Sequence, residues 1–197
     1  MAIEPALDPA HTAVLSMDMQ TAIVSIYTGD QDAFTGRAAD VLRHCREREI
    51  TTIHVQVGFR PGLPEVSPRN ALFAAVKNSP EHQKLFQGDA GKIHPAVAPV
   101  GEDIVITKHR ISAFTGTDLD MILRANEVDT LVMFGIATSG VVLSTLLDAV
   151  DADYRAIVIT DCCADRDAEV HGVLVEKFFP HRGTAVTAAD FVGSLPG

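Results

Sequence analysis

The chain has 197 residues, of which 47% are hydrophobic and 21% charged, and its formal charge is −10. That length buries a sizeable core, and residues 1–197 read as a single domain. The acidic balance, with 16 scattered Lys and Arg, counts against nucleic acid and anionic lipid as partners.

No apolar run approaches the roughly 20 residues of a membrane span, and MAIEPALDPAHTAVLSMDMQ lacks the basic-then-apolar order of a leader. A cytoplasmic location is expected. Cys45, Cys162 and Cys163 are odd in number and lack C-x-x-C spacing, which suits reduced thiols better than a disulfide framework or a zinc site.

In chain order, 12–19 (TAVLSMDM) reads as a strand, 34–49 carries helical spacing with basic residues near its end, and 51–59 (TTIHVQVGF) is the next strand. Pro and Gly in RPGLPEVSPRN then open a long irregular excursion to about residue 102, with a short helix at 70–77. A loop of that length in a compact domain is usually functional. Order returns with a strand at 102–109, a helix at 118–126 opened by Thr117, a strand at 129–135 and a helix at 138–151. A strand at 154–161, a helix at 167–179, a strand at 184–187 and a short closing helix follow. The apolar runs are nearly continuous, as in parallel strands covered on both faces. The expected fold is α/β, a three-layer, open, mostly parallel, Rossmann-like sheet with helices on both faces.

Ligands of such sheets bind beyond the carboxyl ends of the strands. Four polar places lie there: Asp18 with Gln20, Lys108, the turn GIATSG (135–140), and DCCAD (161–165). Asp18 follows an apolar strand, so burial should raise its pKa unless a cation such as Lys108 compensates. A carboxylate and an ammonium at neighbouring strand ends can move a proton to or from a bound substrate, and a structural salt bridge is the alternative reading. His54, inside an apolar strand, reads as a core histidine.

DMQ (18–20), KHRISAFTGTDL (108–119), GIATSGVVLST (135–145) and DCCADRDAEVH (161–171) resemble, in order and spacing, the isochorismatase-like hydrolases. That superfamily of cysteine hydrolases also contains nicotinamidases and N-carbamoylsarcosine amidases. The resemblance covers essentially the whole chain; it specifies the superfamily and not a substrate. It implies a catalytic Asp at Asp18, a catalytic Lys at Lys108, and a cis peptide at Ile136–Ala137. The family's nucleophilic cysteine falls on Val141, which would contribute only its backbone N–H, with Ala137, to an oxyanion hole. Gln20, Phe114 and, in the long loop, Arg60 as a carboxylate clamp are the candidate substrate contacts. No metal and no cofactor are expected, since HVQVGFRPG (54–62) lacks the histidines of the metal-binding members.

Ser139 lies two positions before the nucleophile site and Ser144 nearly a helical turn past the tip, so neither replaces the thiol. Cys162 and Cys163 suit packing better than catalysis. Isochorismatases proper, as the resemblance has it, carry a small residue in place of cysteine: an Asp protonates a vinyl ether and water captures the oxocarbenium ion. Asp18 and Lys108 would suffice for that chemistry, although Val141 narrows the floor against a bulky ring. The expectation is thus a hydrolase of a small, anionic metabolite, forming a homo-oligomer, dimer or tetramer. A catalytically silent small-molecule binder and an interaction module are the alternatives.

Overall fold

Six parallel strands, in the order β3-β2-β1-β4-β5-β6, form one open sheet. They are β1 (Thr12–Met17), β2 (Thr51–Val57), β3 (Ile104–Lys108), β4 (Thr130–Ile136), β5 (Arg155–Ala164) and β6 (Thr184–Val186). The computed structural model describes residues 6–196; residues 1–5, part of the stretch read above for a leader, and Gly197 lie outside the described residues. Every residue of β1 and β4 is buried, which explains why their sequences are unbroken apolar runs rather than alternating ones. Strand order reverses between β1 and β4, which opens a crevice at their carboxyl ends.

The helices are α1 (Thr21–Tyr27), α2 (Gln31–Arg46), α3 (Ala71–Lys77), α4 (Pro80–Lys84), α5 (Leu119–Ala125), α6 (Leu143–Asp151), α7 (Ala168–Val173) and α8 (Ala188–Ser194). Side-chain oxygens cap several of them, Asp30 on Ala33 N–H for α2 and Asn70 on Phe73 N–H for α3. Among the described residues no helix is long and apolar enough to cross a membrane.

The long excursion between β2 and β3 folds as a lid with its own apolar cluster of Leu63, Val66, Phe73 and Val76 against Val57. Helices α1 and α4 were not anticipated: α1 follows the first strand after three residues with no side-chain cap, and α4 has only five residues, too few to display a helical period. The expected helix over 167–179 narrows to α7 and then changes pitch after Val173, and the one over 138–151 begins as a widened turn, Thr138–Val142, before α6. The strand expected to stop at residue 161 runs on to Ala164: Met133 pairs with Val158 and Gly135 with Cys163, so two steps of β4 face five of β5. This bulge puts Cys162 and Cys163 inside the strand, both buried.

Candidate active site

The crevice is built by three strand ends. At the end of β4, Gly135 adopts φ +144°, and a Cβ there would run into the Met17 carbonyl, so only glycine lets β4 turn this closely against β1. The Ile136–Ala137 peptide that follows is cis, as the resemblance implied. Gly140 departs from helical dihedrals at φ −100°, ψ −105° and swings the chain into α6. Hydrogen bonds fix the turn from outside. Asp165 Oδ2 accepts from Ser139 N–H at 2.8 Å and from its hydroxyl at 2.7 Å, Gly140 N–H donates to the Ala137 carbonyl at 3.1 Å, and Thr138 Oγ1 pairs with His171 Nδ1 at 2.8 Å. Ser139 is therefore committed to Asp165 and the turn presents Val141, buried, at its tip.

Asp18 directly follows β1 with φ +54°, a left-handed conformation that Asp tolerates better than most side chains. Its N–H donates to the Val55 carbonyl at 2.7 Å, which ties that conformation to β2. Lys108 ends β3 opposite Val57, and its long side chain crosses the end of β2 to place Nζ 2.8 Å from Asp18 Oδ2 and 3.1 Å from the Arg110 carbonyl. Both groups are buried, and Asp18 Oδ1 has no hydrogen-bond partner. Burial pushes the Asp18 carboxyl above the usual carboxylate range, and the adjacent ammonium only partly counters it.

These groups face a cavity of about 200 Å³. Asp18, Lys108, Ala137, Gly140 and Val141 form its floor, α1 supplies Ile23 and Tyr27, and the lid closes it with Phe73 and Phe86. Tyr27 and the lid aromatics are site residues that sequence reasoning missed. For Tyr27 the only signal was the spacing Ile23, Ile26, Tyr27, one face of a helix too short to recognise.

Of the expected residues, the structure brings together Asp18, Lys108, Ala137 and Val141, and leaves the three expected substrate contacts elsewhere. Gln20 is buried with its amide spent on backbone: Oε1 accepts from Val57 N–H at 2.9 Å, and Nε2 donates to the Val57 carbonyl at 3.0 Å and the Gly91 carbonyl at 2.6 Å. It fastens the lid to β2 instead of facing the cavity. Phe114 packs 6.0 Å from the Tyr154 ring and is absent from the cavity wall. Arg60 is paired with Glu65 at 2.7 Å and borders two neighbouring cavities.

His54 lies in the core, as expected, with Nε2 3.1 Å from Asp103 Oδ2. All three thiols are buried and none lines the cavity. Burial pushes Cys45 and Cys163 up to about 12 and raises Cys162 as well, so none is a ready thiolate. Among the described residues no group of three or more His, Cys, Asp or Glu is arranged to hold a metal ion.

Comparison with known proteins agrees with this fold. The maleamate amidohydrolase of Pseudomonas putida is 28% identical over 171 residues, covering 86% of this chain and 78% of the relative. The ureidoacrylate amidohydrolase of Agrobacterium fabrum is 32% identical over 215 residues, covering 96% and 92%. The structure of an isochorismatase family protein from Burkholderia thailandensis superposes with a TM-score of 0.82 at 27% identity, covering 97% of this chain and 98% of that one. The family described as the isochorismatase domain matches residues 12–190, and the chain belongs to that family of hydrolases.

Proposed function

We propose that this protein hydrolyses a small metabolite through Asp18 and Lys108 without a covalent cysteine intermediate. One observation carries the reading: a buried carboxyl oxygen, Asp18 Oδ1, is left without a partner in an apolar cavity while its twin is held by Lys108. Desolvation favours the protonated acid, so Asp18 can hold a proton and deliver it to a bound atom. On a vinyl ether, that proton adds to the enol carbon and the ether oxygen shares the resulting positive charge. Water then adds to the oxocarbenium carbon and gives up a proton to the Asp18 carboxylate, which regenerates the acid, and the hemiketal collapses to a carbonyl compound and an alcohol. Lys108 stabilises the Asp18 carboxylate left behind. The cavity is smaller than the roughly 300–1,000 Å³ of drug-sized sites, so the reacting group must be compact.

The relatives named as amidohydrolases favour amide cleavage as the competing chemistry. Here that would require Asp18 to activate water and the Ala137 and Val141 amides to receive the oxyanion, because no thiol borders the cavity. A silent binding protein is the second reading, favoured by Val141 on the cavity floor.

Turnover of a panel of vinyl ethers, amides and esters separates the three. On this proposal vinyl ethers are cleaved, and Asp18→Asn lowers kcat by roughly 10²–10⁴-fold with the fold intact. The rate should also fall as pH rises through the Asp18 pKa, because the acid form is the donor. Turnover unchanged in Asp18→Asn removes Asp18 from the mechanism, and no turnover of any class favours the binder.

A further inference from the structure

Three cavities meet at one side chain. The catalytic cavity shares Val76 and Phe86 with a second cavity of about 250 Å³, and Val57 and Phe86 with a third. The second and third share Phe59, Arg60 and Phe86 with one another, so Phe86 borders all three. Its ring stands edge-on to Phe59 with centroids 5.6 Å apart, and Phe59 meets Phe73 in the same way at 5.5 Å. Phe86 is half-buried on the lid just after α4, and its backbone lies close enough to Gly91 that a Cβ at residue 91 would strike it. Gly91 is in turn the residue whose carbonyl Gln20 grips. The backbone that carries Phe86 is therefore braced, while its half-buried ring is held only by nonpolar packing against Phe59 and the lid cluster, which a rotamer change can break.

The second cavity differs in chemistry from the first. Its walls are apolar, with Leu63, Val76 and Phe59, but Arg60, Gln83 and Gln87 border it. One guanidinium nitrogen of Arg60 bonds Glu65, which orients the fork, and its other N–H groups donate no hydrogen bond to the described residues. Gln83 uses only its Nε2, on the Lys77 carbonyl. The catalytic cavity, by contrast, has no arginine on its wall and its one ammonium is already paired with Asp18.

We infer that the second cavity is a distal subsite for a carboxylate, that Arg60 binds it, and that Phe86 is the movable partition between this subsite and the reaction site. This inference rests on the reading of the Asp18 cavity as the place of reaction. The substrate class it assigns is an elongated molecule with an apolar middle, its reacting group at Asp18 and a carboxylate at the far end. Such a ligand turns Phe86 aside to thread both cavities, whereas a short one leaves Phe86 in place and gains nothing from Arg60. Phe86 and Arg60 are thereby specificity-determining residues, and the sheet residues that do the chemistry play no part in measuring length.

Calorimetric titration with butanoate, hexanoate and octanoate tests this without any turnover. In the wild type, affinity should rise roughly threefold for each added methylene, as the alkyl chain passes Phe86 into the apolar catalytic cavity. Arg60→Gln should weaken octanoate about tenfold, the loss of one charge-assisted contact. Phe86→Trp should flatten the length dependence beyond butanoate, and Phe86→Leu, which keeps the lid cluster filled if the larger ring is not accommodated, should steepen it. A length dependence that is flat in the wild type, or unchanged in both Phe86 variants, overturns the partition. Octanoate affinity unaltered in Arg60→Gln overturns the subsite. Binding results as expected combined with full turnover in Asp18→Asn would remove the proposed chemistry alone and leave the subsite standing.

Discussion

The sheet core and the lid cluster are both apolar, yet they are built to different standards. Leu15, Leu131, Met133, Phe134 and Ile157 in the sheet are fully shielded from solvent, whereas Val66 in the lid cluster keeps 4% of its surface exposed, Leu63 and Phe73 6% and Val76 9%. The sheet side chains belong to one large core cluster, while the lid's form a separate, smaller one that packs on Val57 of β2, Ile23 of α1 and Ile111 after β3. Asp18, Lys108 and the Val141 turn all stand on the first region; Phe73 and Phe86 belong to the second. The lesson is a division of labour. Asp18 and Lys108 are held at the ends of strands in the large core, and the aromatic wall over them is drawn from the smaller lid cluster.

The comparison predicts unequal responses to the same truncation. Phe134→Ala should cost about 3–5 kcal/mol and lower the global unfolding midpoint, because no neighbour can close the cavity left between two helix layers. Phe73→Ala should cost about 2–3 kcal/mol, and hydrogen exchange should show the loss concentrated in residues 58–103 while β1 and β4 amides stay protected. Equal loss of protection in both regions would mean that lid and sheet unfold as one unit.

Gln20 joins the two regions and carries the next largest effect. Gln20→Ala leaves the Val57 N–H and carbonyl and the Gly91 carbonyl without their side-chain partners, which should cost about 1–3 kcal/mol. If the bond to Gly91 fastens the lid, exchange should quicken around residues 86–92 more than in β2. A loss confined to β2 would show that the lid is held by its apolar cluster alone.

How much of this was legible in the sequence follows the same division. Strands such as TAVLSM and TLVMFG announce themselves because enclosure on both faces demands unbroken apolar runs, and Asp18 and Lys108 stand at their ends for the same geometric reason. In the lid, Phe73 and Val76 share one face of the short helix expected at 70–77, but Leu63 and Val66 are spaced among Pro and Gly with neither period, so the cluster they complete exists only once the chain is folded. Gln20 and Arg60 illustrate the limit of reading residue type without partners. An amide two residues after a strand-end Asp suggests a ligand contact, but here it serves the backbone, and the arginine borders the neighbouring cavities instead of the one that Asp18 lines.

At the other end of the lid, Asp103 marks where the chain rejoins the sheet, accepting from Arg46 at 2.6 Å, Val100 N–H at 2.9 Å and His54 at 3.1 Å. Burial holds His54 below its ordinary pKa despite Asp103, so the folded chain keeps it neutral while the unfolded chain protonates it near 6.5. The unfolded state then binds more protons, and stability should decline as pH falls below about 6.5 by at most about 1.4 kcal/mol per pH unit. Burial raises the Asp103 carboxyl, but its three donors outweigh that and hold it below the usual range, so its contribution is lost at still lower pH and in the same direction. Urea midpoints from pH 5 to 7 in His54→Phe should show a shallower slope than the wild type. An unchanged slope would assign the acid sensitivity to other groups.

The smallest change in stability tests the floor where the two regions meet. Val141→Cys nearly conserves volume and should cost under about 1.5 kcal/mol, so its readout is reactivity. A thiol at residue 141 would share the cavity floor with Lys108, at a turn that leads into α6, and both the ammonium and the helix start favour thiolate. It should titrate below the free value of about 8.5 and be alkylated before Cys45, Cys162 and Cys163, which burial holds inert. Lid closure adds a second dependence, because Phe86 stands over the same cavity. Combining Val141→Cys with Phe86→Ala should speed alkylation without moving the thiol pKa, separating access, which the lid controls, from activation, which the sheet controls. A residue-141 thiol with an ordinary pKa would mean that Asp18 cancels the field of Lys108 at the cavity floor. The pair would then act as a neutral unit, unable to activate a nucleophile there.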